Sequence, residues 1–295
     1  MSFLFSKKVL FGALALVIVI LTSVYFANRA EAPIEPVVEK DVVVTTTGPE
    51  YSVIGTSVEG RSIELYKFGN GERDIAFVGG IHGGYEWNSV LLAYQFIDYF
   101  TANPGMIPDN LTVNIIPVAN PDGLFKVTGK DGRFSVLDVS QSETVLAEGR
   151  FNANGVDLNR NFACNWKPES TWRSQVVSAG TSVFSEPEAK AIKNFVESVI
   201  PEAVVFWHSQ ASTVYGSSCN DITLPGTLEL MDTYATAAGY NSVPFFDAYE
   251  ISGAVEDWLS TIGIPAITVE LKTHESTDWE QNLAGVKALF GYFGE

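Results

Sequence analysis

The stretch Ile-Ala-Phe-Val-Gly-Gly-Ile-His-Gly-Gly-Tyr-Glu-Trp, residues 75–87, begins as an apolar run and ends in residues that carry chemistry. The apolar run 75–81 predicts a buried strand. His82 follows that strand directly, and Glu86 lies four residues later, where a predicted helix over 87–100 begins. Because one turn of helix brings positions i and i+4 to one face, the two side chains can meet at the end of the strand.

A second histidine follows a similar apolar strand. The chain contains only three histidines, and His208 comes directly after the predicted strand 203–207. If the two strands are neighbours in one sheet, His82, Glu86 and His208 converge at their carboxyl ends. Two imidazoles and one carboxylate that leave a fourth position open are typical of a catalytic zinc site. The sequence therefore predicts one zinc ion bound by these three residues.

Strands and helices are predicted to alternate from residue 51 onward. The predicted strands are 75–81, 111–118, 203–207 and 266–271, and the predicted helices are 87–100, 186–199, 227–238, 253–262 and 278–293. Such alternation indicates an α/β fold with a mostly parallel or mixed sheet covered by helices on both faces. The roughly 245 residues after position 50 suffice for one such domain. Ligand sites in these folds lie beyond the carboxyl ends of the strands.

Further charged and hydrogen-bonding groups follow strands or lie in loops. Glu270 lies at the end of the last predicted strand, where a carboxylate is costly unless it has a partner or a task, so it is the candidate general base. Arg150, Asn159 and Arg160 lie in an otherwise small and polar loop. Guanidinium and amide groups together are well suited to bind a carboxylate. Tyr249 adds a phenol on a glycine-containing loop.

The composition excludes several classes of partner and site. The formal net charge of −17 argues against nucleic acid as a partner, because phosphate binding needs clustered Lys and Arg. The two cysteines, Cys164 and Cys219, are too few for a cysteine metal site or a disulfide scaffold. A single disulfide between them is left open, since it requires an oxidising compartment.

The N-terminus indicates the compartment. Lys7 and Lys8 precede an uncharged apolar stretch that is long enough to span a bilayer, so we predict a membrane anchor within residues 1–27. A signal peptide cleaved near Ala30-Glu31-Ala32 is the alternative. In either case the positive-inside rule keeps the lysines in the cytoplasm and places the remainder of the chain outside.

The predicted organisation is an anchor or signal peptide, a linker and one catalytic domain. Residues 28–50 are polar and contain proline without periodicity, which is typical of a tether. Residues 51–295 form the catalytic domain. The expected location is the cell membrane, with a single span and an extracytoplasmic catalytic domain, or secretion if the N-terminus is cleaved.

Taken together, these segments resemble the zinc metallocarboxypeptidases, the family of carboxypeptidases A and B. The resemblance covers about residues 51–295, and its most specific part is Gly-Val-Asp-Leu-Asn-Arg-Asn-Phe at 155–162. The stretch 54–63 and the sequence Asn-Pro-Asp-Gly at 120–123 also resemble family segments. The resemblance implies an eight-stranded mixed, mostly parallel sheet sandwiched by helices.

The resemblance also implies roles at the metal. His82, Glu86 and His208 would bind zinc, Glu270 would activate the attacking water, and Arg150 would polarise the scissile carbonyl. The family normally places two residues between the first His and Glu, whereas this chain has three. The two glycines in that interval could allow the turn to adjust.

Other roles concern the substrate. Asn159 and Arg160 would bind the terminal carboxylate of a peptide, and Tyr249 would close over the substrate. Glu256 would lie in the pocket for the terminal side chain, where an acid accompanies a preference for Lys or Arg. Alternatively, Glu256 faces solvent at the start of a helix, where an acid is favourable.

The expected activity is hydrolysis of the C-terminal bond of extracytoplasmic peptides, with a basic terminal residue preferred. A peptidase that releases diaminopimelate from peptidoglycan stems would use the same site, as would an N-acyl amino acid deacylase. A non-catalytic binding module is the remaining alternative, and it requires that the altered spacing between His82 and Glu86 abolish zinc binding. The expected partner is a peptide or muropeptide with a free terminal carboxylate, and the oligomeric state is left open.

Overall fold

The computed structural model describes Leu21 and residues 48–294. Apart from Leu21, the anchor expected within residues 1–27 lies outside the described residues, as does the linker up to residue 47. Among the residues that are described, no helix has the length and apolar character needed to cross a membrane. The anchor and the compartment therefore stay predictions.

The described chain forms a mixed eight-stranded sheet and a separate two-stranded hairpin. The strands are β1 Glu50–Thr56, β2 Ser62–Phe68, β3 Arg73–Val78, β4 Leu111–Ile116, β5 Glu169–Trp172, β6 Gln175–Ser178, β7 Ala203–Ser209, β8 Thr213–Gly216, β9 Asn241–Val243 and β10 Ala266–Leu271. Their order across the sheet is β1-β2-β4-β3-β7-β10-β8-β9, and β5 pairs only with β6. Four of the seven neighbouring pairs in the large sheet are parallel and three are antiparallel. The predicted α/β class and the mixed, mostly parallel eight-stranded sheet are confirmed.

Helices cover both faces of the large sheet. In residues 48–294 the α-helices are α1 Trp87–Ala102, α2 Pro121–Thr128, α3 Glu143–Glu148, α4 Pro187–Val199, α5 Pro225–Ala238, α6 Val255–Thr261 and α7 Trp279–Gly294. One core contains residues of α1, α5 and α7, and the other contains residues of α4 and α6. The domain is thus a sheet between two helical layers.

The central strands are buried on both sides because their side chains alternate between the two cores. Phe77 of β3 and Trp207 of β7 belong to the core with α1, whereas Val78 and Phe206 belong to the core with α4. Strands that are apolar on both faces are typical of parallel sheets covered by helices. The same alternation places His208, two residues after Phe206, on the α4 side.

The register of the central strands brings the predicted catalytic groups together. β7 lies between β3 and β10 and is parallel to both, with Glu270 directly opposite His208. His82 follows the end of β3, on the other side of β7. All three residues therefore lie at the carboxyl edge of the sheet, where sites of α/β folds are expected.

The connection between β3 and α1 differs from the sequence expectation. The predicted strand 75–81 ends at Val78, and a single 3-10 turn, Gly83–Glu86, stands between His82 and α1. Gly83 has a φ of +49°, and a Cβ there would lie 2.5 Å from the carbonyl oxygen of Gly149. Only glycine fits this backbone and this close approach. The extra residue between His82 and Glu86 is accommodated by this turn.

Candidate active site

Three side chains with metal-binding atoms meet at the carboxyl edge of the sheet. One ligand atom each of His82, Glu86 and His208 can be chosen so that all lie within 4.8 Å of one another, and all three residues are buried. Within residues 48–294, His82 Nδ1 and Glu86 Oε2 are buried and make no hydrogen bond of good geometry. Buried polar atoms of this kind are costly unless they bind something. The donor set and its unpartnered atoms fit zinc.

Each of the two histidines also faces a second carboxylate. His82 Nδ1 lies 3.4 Å from Asp157 Oδ1, and His208 Nε2 lies 2.9 Å from Glu256 Oε1. His208 Nδ1 lies 3.1 Å from Glu86 Oε2 on the other side of the ring. Carboxylates beside metal-binding histidines orient the rings and set their tautomers. Asp157 was not singled out from the sequence, although it belongs to the most specific motif of the chain.

The electrostatic environment favours the ionised form of Glu86. Burial lowers the pKa of His82 to about 4, and the Arg150 cation adds to this effect. Burial alone would raise the pKa of Glu86, but the neighbouring His82 and His208 hold it at about 2. For His208, burial is outweighed by Glu86 and Glu256, which raise its pKa well above the ordinary value. Because a histidine ligand must be neutral, protonation of His208 would compete with metal binding.

Arg150 is held beside the metal-binding group. Its Nε donates to Asp157 Oδ2 at 2.8 Å, and its Nη1 lies 3.9 Å from Glu86 Oε1. The guanidinium carbon lies 4.7 Å from the ring centroid of Trp172, within range of a cation–π contact. The side chain is only 4% exposed.

Glu270 lies next to the metal-binding group through the pairing of β7 and β10. Its Oε2 is buried and has no hydrogen-bond partner. Burial raises the pKa of Glu270 to about 8; the Glu86 carboxylate adds to the shift, while His208 and Arg150 oppose it. A carboxyl group with a pKa near neutrality can accept and return a proton under ordinary conditions.

Asn159 and Arg160 lie in a 3-10 turn, Leu158–Arg160, whose geometry is held by backbone contacts. Asn159 Oδ1 accepts a hydrogen bond from Val255 N at 2.8 Å. Arg160 donates through Nη1 to the carbonyl oxygen of Asn159 and through Nη2 to that of Thr171, at 2.6 and 3.0 Å. Both side chains are buried, so the guanidinium is placed rigidly.

A cavity of about 930 Å³ opens over these groups. Its lining includes every site residue predicted from the sequence: His82, Glu86, Arg150, Asn159, Arg160, His208, Tyr249, Glu256 and Glu270. Tyr249 is half-buried and packs edge-to-face against Phe246, with ring centroids 4.9 Å apart. Convergence of all nine in one cavity is a tertiary result, because they come from five separate segments of the chain.

Glu256 has an environment that the sequence did not indicate. It is buried at the start of α6, so the alternative in which it faces solvent is wrong. Its Oε1 lies 2.9 Å from His208 Nε2, so this oxygen is occupied by the histidine. The adjacent Asp257 also lines the cavity and accepts a hydrogen bond from Ser218 N at 3.0 Å. Burial raises the pKa of Asp257 to about 7.

Two further features of the cavity were missed or left open. The β5–β6 hairpin places Trp172 and Arg173 in the lining; its strands of four residues are too short for a clear periodic signal. Cys164, also in the lining, forms a disulfide with Cys219, so the open alternative is resolved in favour of pairing. The disulfide joins the segment after Arg160 to the segment after β8.

Comparison with known proteins agrees with this geometry. The family model described as zinc carboxypeptidase matches residues 48–284. Carboxypeptidase B of Astacus astacus is 28% identical over 247 residues, which cover 80% of this chain and 76% of that protein. Gamma-D-glutamyl-L-diamino acid endopeptidase 1 of Lysinibacillus sphaericus is 24% identical over 239 residues, which cover 74% of this chain but only 59% of that protein.

A solved structure extends the comparison of the fold. The murein-tripeptide amidase of Escherichia coli O157 superimposes with a TM-score of 0.59 at 23% identity, covering 84% of this chain and 92% of that one. At this identity the likeness concerns the fold. The family match spans most of the chain and includes the whole metal-binding group, whose donors fit zinc. The chain is therefore a member of the zinc carboxypeptidase family, a metallocarboxypeptidase-type hydrolase with zinc as its cofactor.

Proposed function

We propose that this chain hydrolyses the C-terminal peptide bond of extracytoplasmic peptides. The observation that carries the proposal is the composition of one cavity, in which a buried guanidinium and amide lie beside a metal-binding group and an unpartnered carboxylate. Arg160 and Asn159 are suited to a terminal carboxylate, and Glu270 is suited to proton transfer. A binding module without catalysis would not need Glu270 in this position.

The proposed chemistry assigns separate tasks to the residues around the metal. His82, Glu86 and His208 hold zinc, which when bound supplies Lewis acidity and lowers the pKa of water. Glu270 takes a proton from the attacking water and returns it to the leaving amine. Arg150, fixed by Asp157, offers its guanidinium to the negative charge that develops on the scissile carbonyl oxygen.

The restriction to chain ends would be a positioning effect. A carboxylate bound by Arg160 and Asn159 places only the last peptide bond at the reacting groups, because an internal residue has no carboxylate there. Tyr249, on the loop over the cavity, is placed to cover the bound end.

The preference for a basic terminal residue is supported by the acids of the cavity. Glu256 and Asp257 both line it, but Glu256 is paired with His208. We therefore propose that Asp257 contributes most of the charge that meets a terminal ammonium or guanidinium. A cation beside it would favour its ionised form, and an apolar terminal residue would leave the ionised carboxylate without a partner.

A cell-wall substrate is the second candidate, favoured by the two bacterial proteins to which the chain is similar. One is named as a γ-D-glutamyl-L-diamino acid endopeptidase and the other as a murein-tripeptide amidase. A diamino acid carries both a carboxylate and a side-chain amine, so Arg160 and Asp257 could bind it in the proposed manner. The cavity therefore accommodates either substrate class.

The test compares matched substrates of the full chain, with chelator and with restored zinc. Peptides ending in Lys, Phe and Glu, each with a free and an amidated terminus, are assayed beside a muropeptide digest. We expect activity only on free termini, in the order Lys before Phe before Glu. Equal cleavage of free and amidated peptides would refute the exopeptidase assignment. Activity on acylated amino acids without activity on peptides would indicate the deacylase.

The extracytoplasmic, single-span location is part of the proposal and has its own test. Protease added outside intact cells should digest the catalytic domain and leave the end with Lys7 and Lys8 protected. Protection of the catalytic domain would overturn this location.

A further inference from the structure

The arginines of the described residues fall into two groups. Those that form an ion pair with a carboxylate are Arg61, Arg73, Arg133 and Arg150. Between residues 48 and 294, Arg160 and Arg173 are the arginines without such a pair, although the chain contains 35 acidic residues. Both line the active-site cavity. In so acidic a chain, two unpaired guanidinium groups in one cavity point to anionic groups on the ligand.

Only one of these two cations has been given a task above. Arg160 is buried and is proposed to bind the terminal carboxylate. Arg173 is exposed and lies at the tip of the β5–β6 hairpin, where Trp172 pairs with Gln175 and leaves a two-residue turn. Its φ of +55° lies in the left-handed region that favours glycine. An arginine at this turn position is not explained by the backbone.

Aromatic groups hold the Arg173 guanidinium in the lining of the active-site cavity. Nη2 donates to Tyr85 Oη at 2.9 Å, and the guanidinium carbon lies 5.6 Å from the ring centroid of Trp172. Tyr85 directly precedes Glu86, and its ring packs edge-to-face against Trp172 at 5.0 Å. These contacts orient the Arg173 guanidinium, but none of them is with a carboxylate that would balance its charge.

The hairpin connects the two cations and indicates which part of a substrate reaches Arg173. The carbonyl oxygen of Thr171 accepts from Arg160, Trp172 covers Arg150, and Arg173 follows. In the proposed function the terminal residue occupies the region of Arg160 and Glu256. A group that reaches Arg173, beside Tyr85, then belongs to the acyl side of the scissile bond.

We propose that Arg173 binds a second carboxylate of the substrate, carried by the residue that precedes the scissile bond. The inference rests on the proposed function and narrows its substrate class to peptides with an acidic penultimate residue. Two kinds of residue supply such a group. An α-linked Asp or Glu carries it on the side chain, and a γ-linked glutamyl residue keeps its α-carboxylate free.

Four substrates test the proposal, all with the same terminal residue. Two have α-linked Glu or Gln before the scissile bond, and two have a γ-linked D-glutamyl residue with a free or an amidated α-carboxylate. Each pair differs by one charge at nearly constant shape. A charge-assisted contact predicts that native kcat/KM favours the carboxylate by about 10- to 100-fold in at least one pair. The pair with the larger ratio identifies the linkage.

For each variant the same ratio of kcat/KM values is measured within each pair. A loss of activity that affects both members of a pair equally leaves this ratio unchanged. Arg173→Gln should reduce the ratio to about 1, and Arg173→Glu should make Gln or Lys preferable to Glu at the preceding position. The matched control is Lys167→Gln, which removes an exposed cation that is paired with Glu250. The control should keep the native ratio.

The outcomes separate this inference from the proposed function. A native ratio near 1 in both pairs, or an unchanged ratio in Arg173→Gln, would overturn the role of Arg173 even if all four peptides are hydrolysed. Absence of hydrolysis would refute the proposed function instead. Affinities of the zinc-loaded Glu270→Gln chain for the four peptides give the same ratio without turnover, so the Arg173 contact is tested in either case.

Discussion

The two sides of the active-site cavity are built in different ways. The metal side comes from the ends of β3, β7 and β10, where register and burial on both faces fix His82, His208 and Glu270. The substrate side comes from connecting segments, namely the 3-10 turn with Arg160, the loop with Tyr249 and the β5–β6 hairpin with Arg173. A rigid scaffold with variable connections allows one reaction to serve many substrates. Changes on the metal side should therefore abolish the chemistry, and changes on the substrate side should redirect it.

The largest effect is expected from removal of a metal ligand. His82→Ala or His208→Ala should reduce bound zinc from about one ion per chain to a small fraction, because two of three protein ligands remain. Zinc per protein after dialysis is the measurement. His274→Ala is the matched control, since this third histidine lies outside the metal-binding group. Full zinc retention in His208→Ala would contradict the assignment of His208 as a zinc ligand.

Loss of the proposed general base should reduce turnover almost as strongly as loss of a metal ligand, but it should leave zinc binding unchanged. Glu270→Gln is expected to lower kcat by about 10²- to 10⁴-fold while zinc content stays near one, because the amide cannot take the proton. The same substitution at the exposed Glu275 serves as control. A Glu270→Gln chain with native kcat would show that another group transfers the proton.

On the substrate side, Arg160→Ala should change recognition more than chemistry. Loss of the charge-assisted contact is expected to raise KM for peptides with a free terminus by about 10- to 100-fold. The preference for free over amidated peptides should shrink correspondingly. Steady-state kinetics on both substrate forms provide the measurement. If kcat alone fell while the preference for free termini persisted, Arg160 would belong with the metal side.

The smallest expected effect concerns the free energy of unfolding, which burial of the Asp257 carboxyl group lowers. Burial raises the pKa of Asp257 to about 7, whereas an unfolded Asp titrates near its ordinary value. Between these two values the native state binds the proton more tightly, so this group's contribution to the free energy of unfolding falls as pH rises and is lowest above pH 7. Asp257→Asn should therefore stabilise the chain by ~2 kcal/mol at pH 8, roughly 5 °C in Tm, and by less at pH 5.

Thermal unfolding of both proteins at pH 5 and pH 8 checks this prediction. Asp247→Asn is a suitable control, because Asp247 is exposed and also lines the cavity. If Asp257→Asn stabilised the chain equally at pH 5 and pH 8, the raised pKa of Asp257 would be contradicted.

Prediction from sequence succeeded where the signal is local. Apolar runs located β3, β4, β7 and β10, and the residues directly after or within them supplied the candidate ligands and base. The boundaries were less accurate: the run 75–81 was assigned wholly to a strand, but the strand ends at Val78. At Gly79 and Gly80 the backbone runs so close to its neighbours that a Cβ at either would lie within 3 Å of another atom. An apolar count cannot detect such crowding.

By itself, the sequence determined the α/β class and the zinc-binding set, because strand ends and residue spacing encode them. The resemblance to the family added the roles of the other candidate residues, Glu256 among them. Only the tertiary structure decided how their charges are shared. Asp157 contacts both His82 and Arg150, and Glu256 contacts His208. Arg173 has no counter-ion among the residues that the structure describes. These contacts join segments that are distant in the chain, and their energies depend on burial and separation in space. Neither quantity is written in the local pattern of residues.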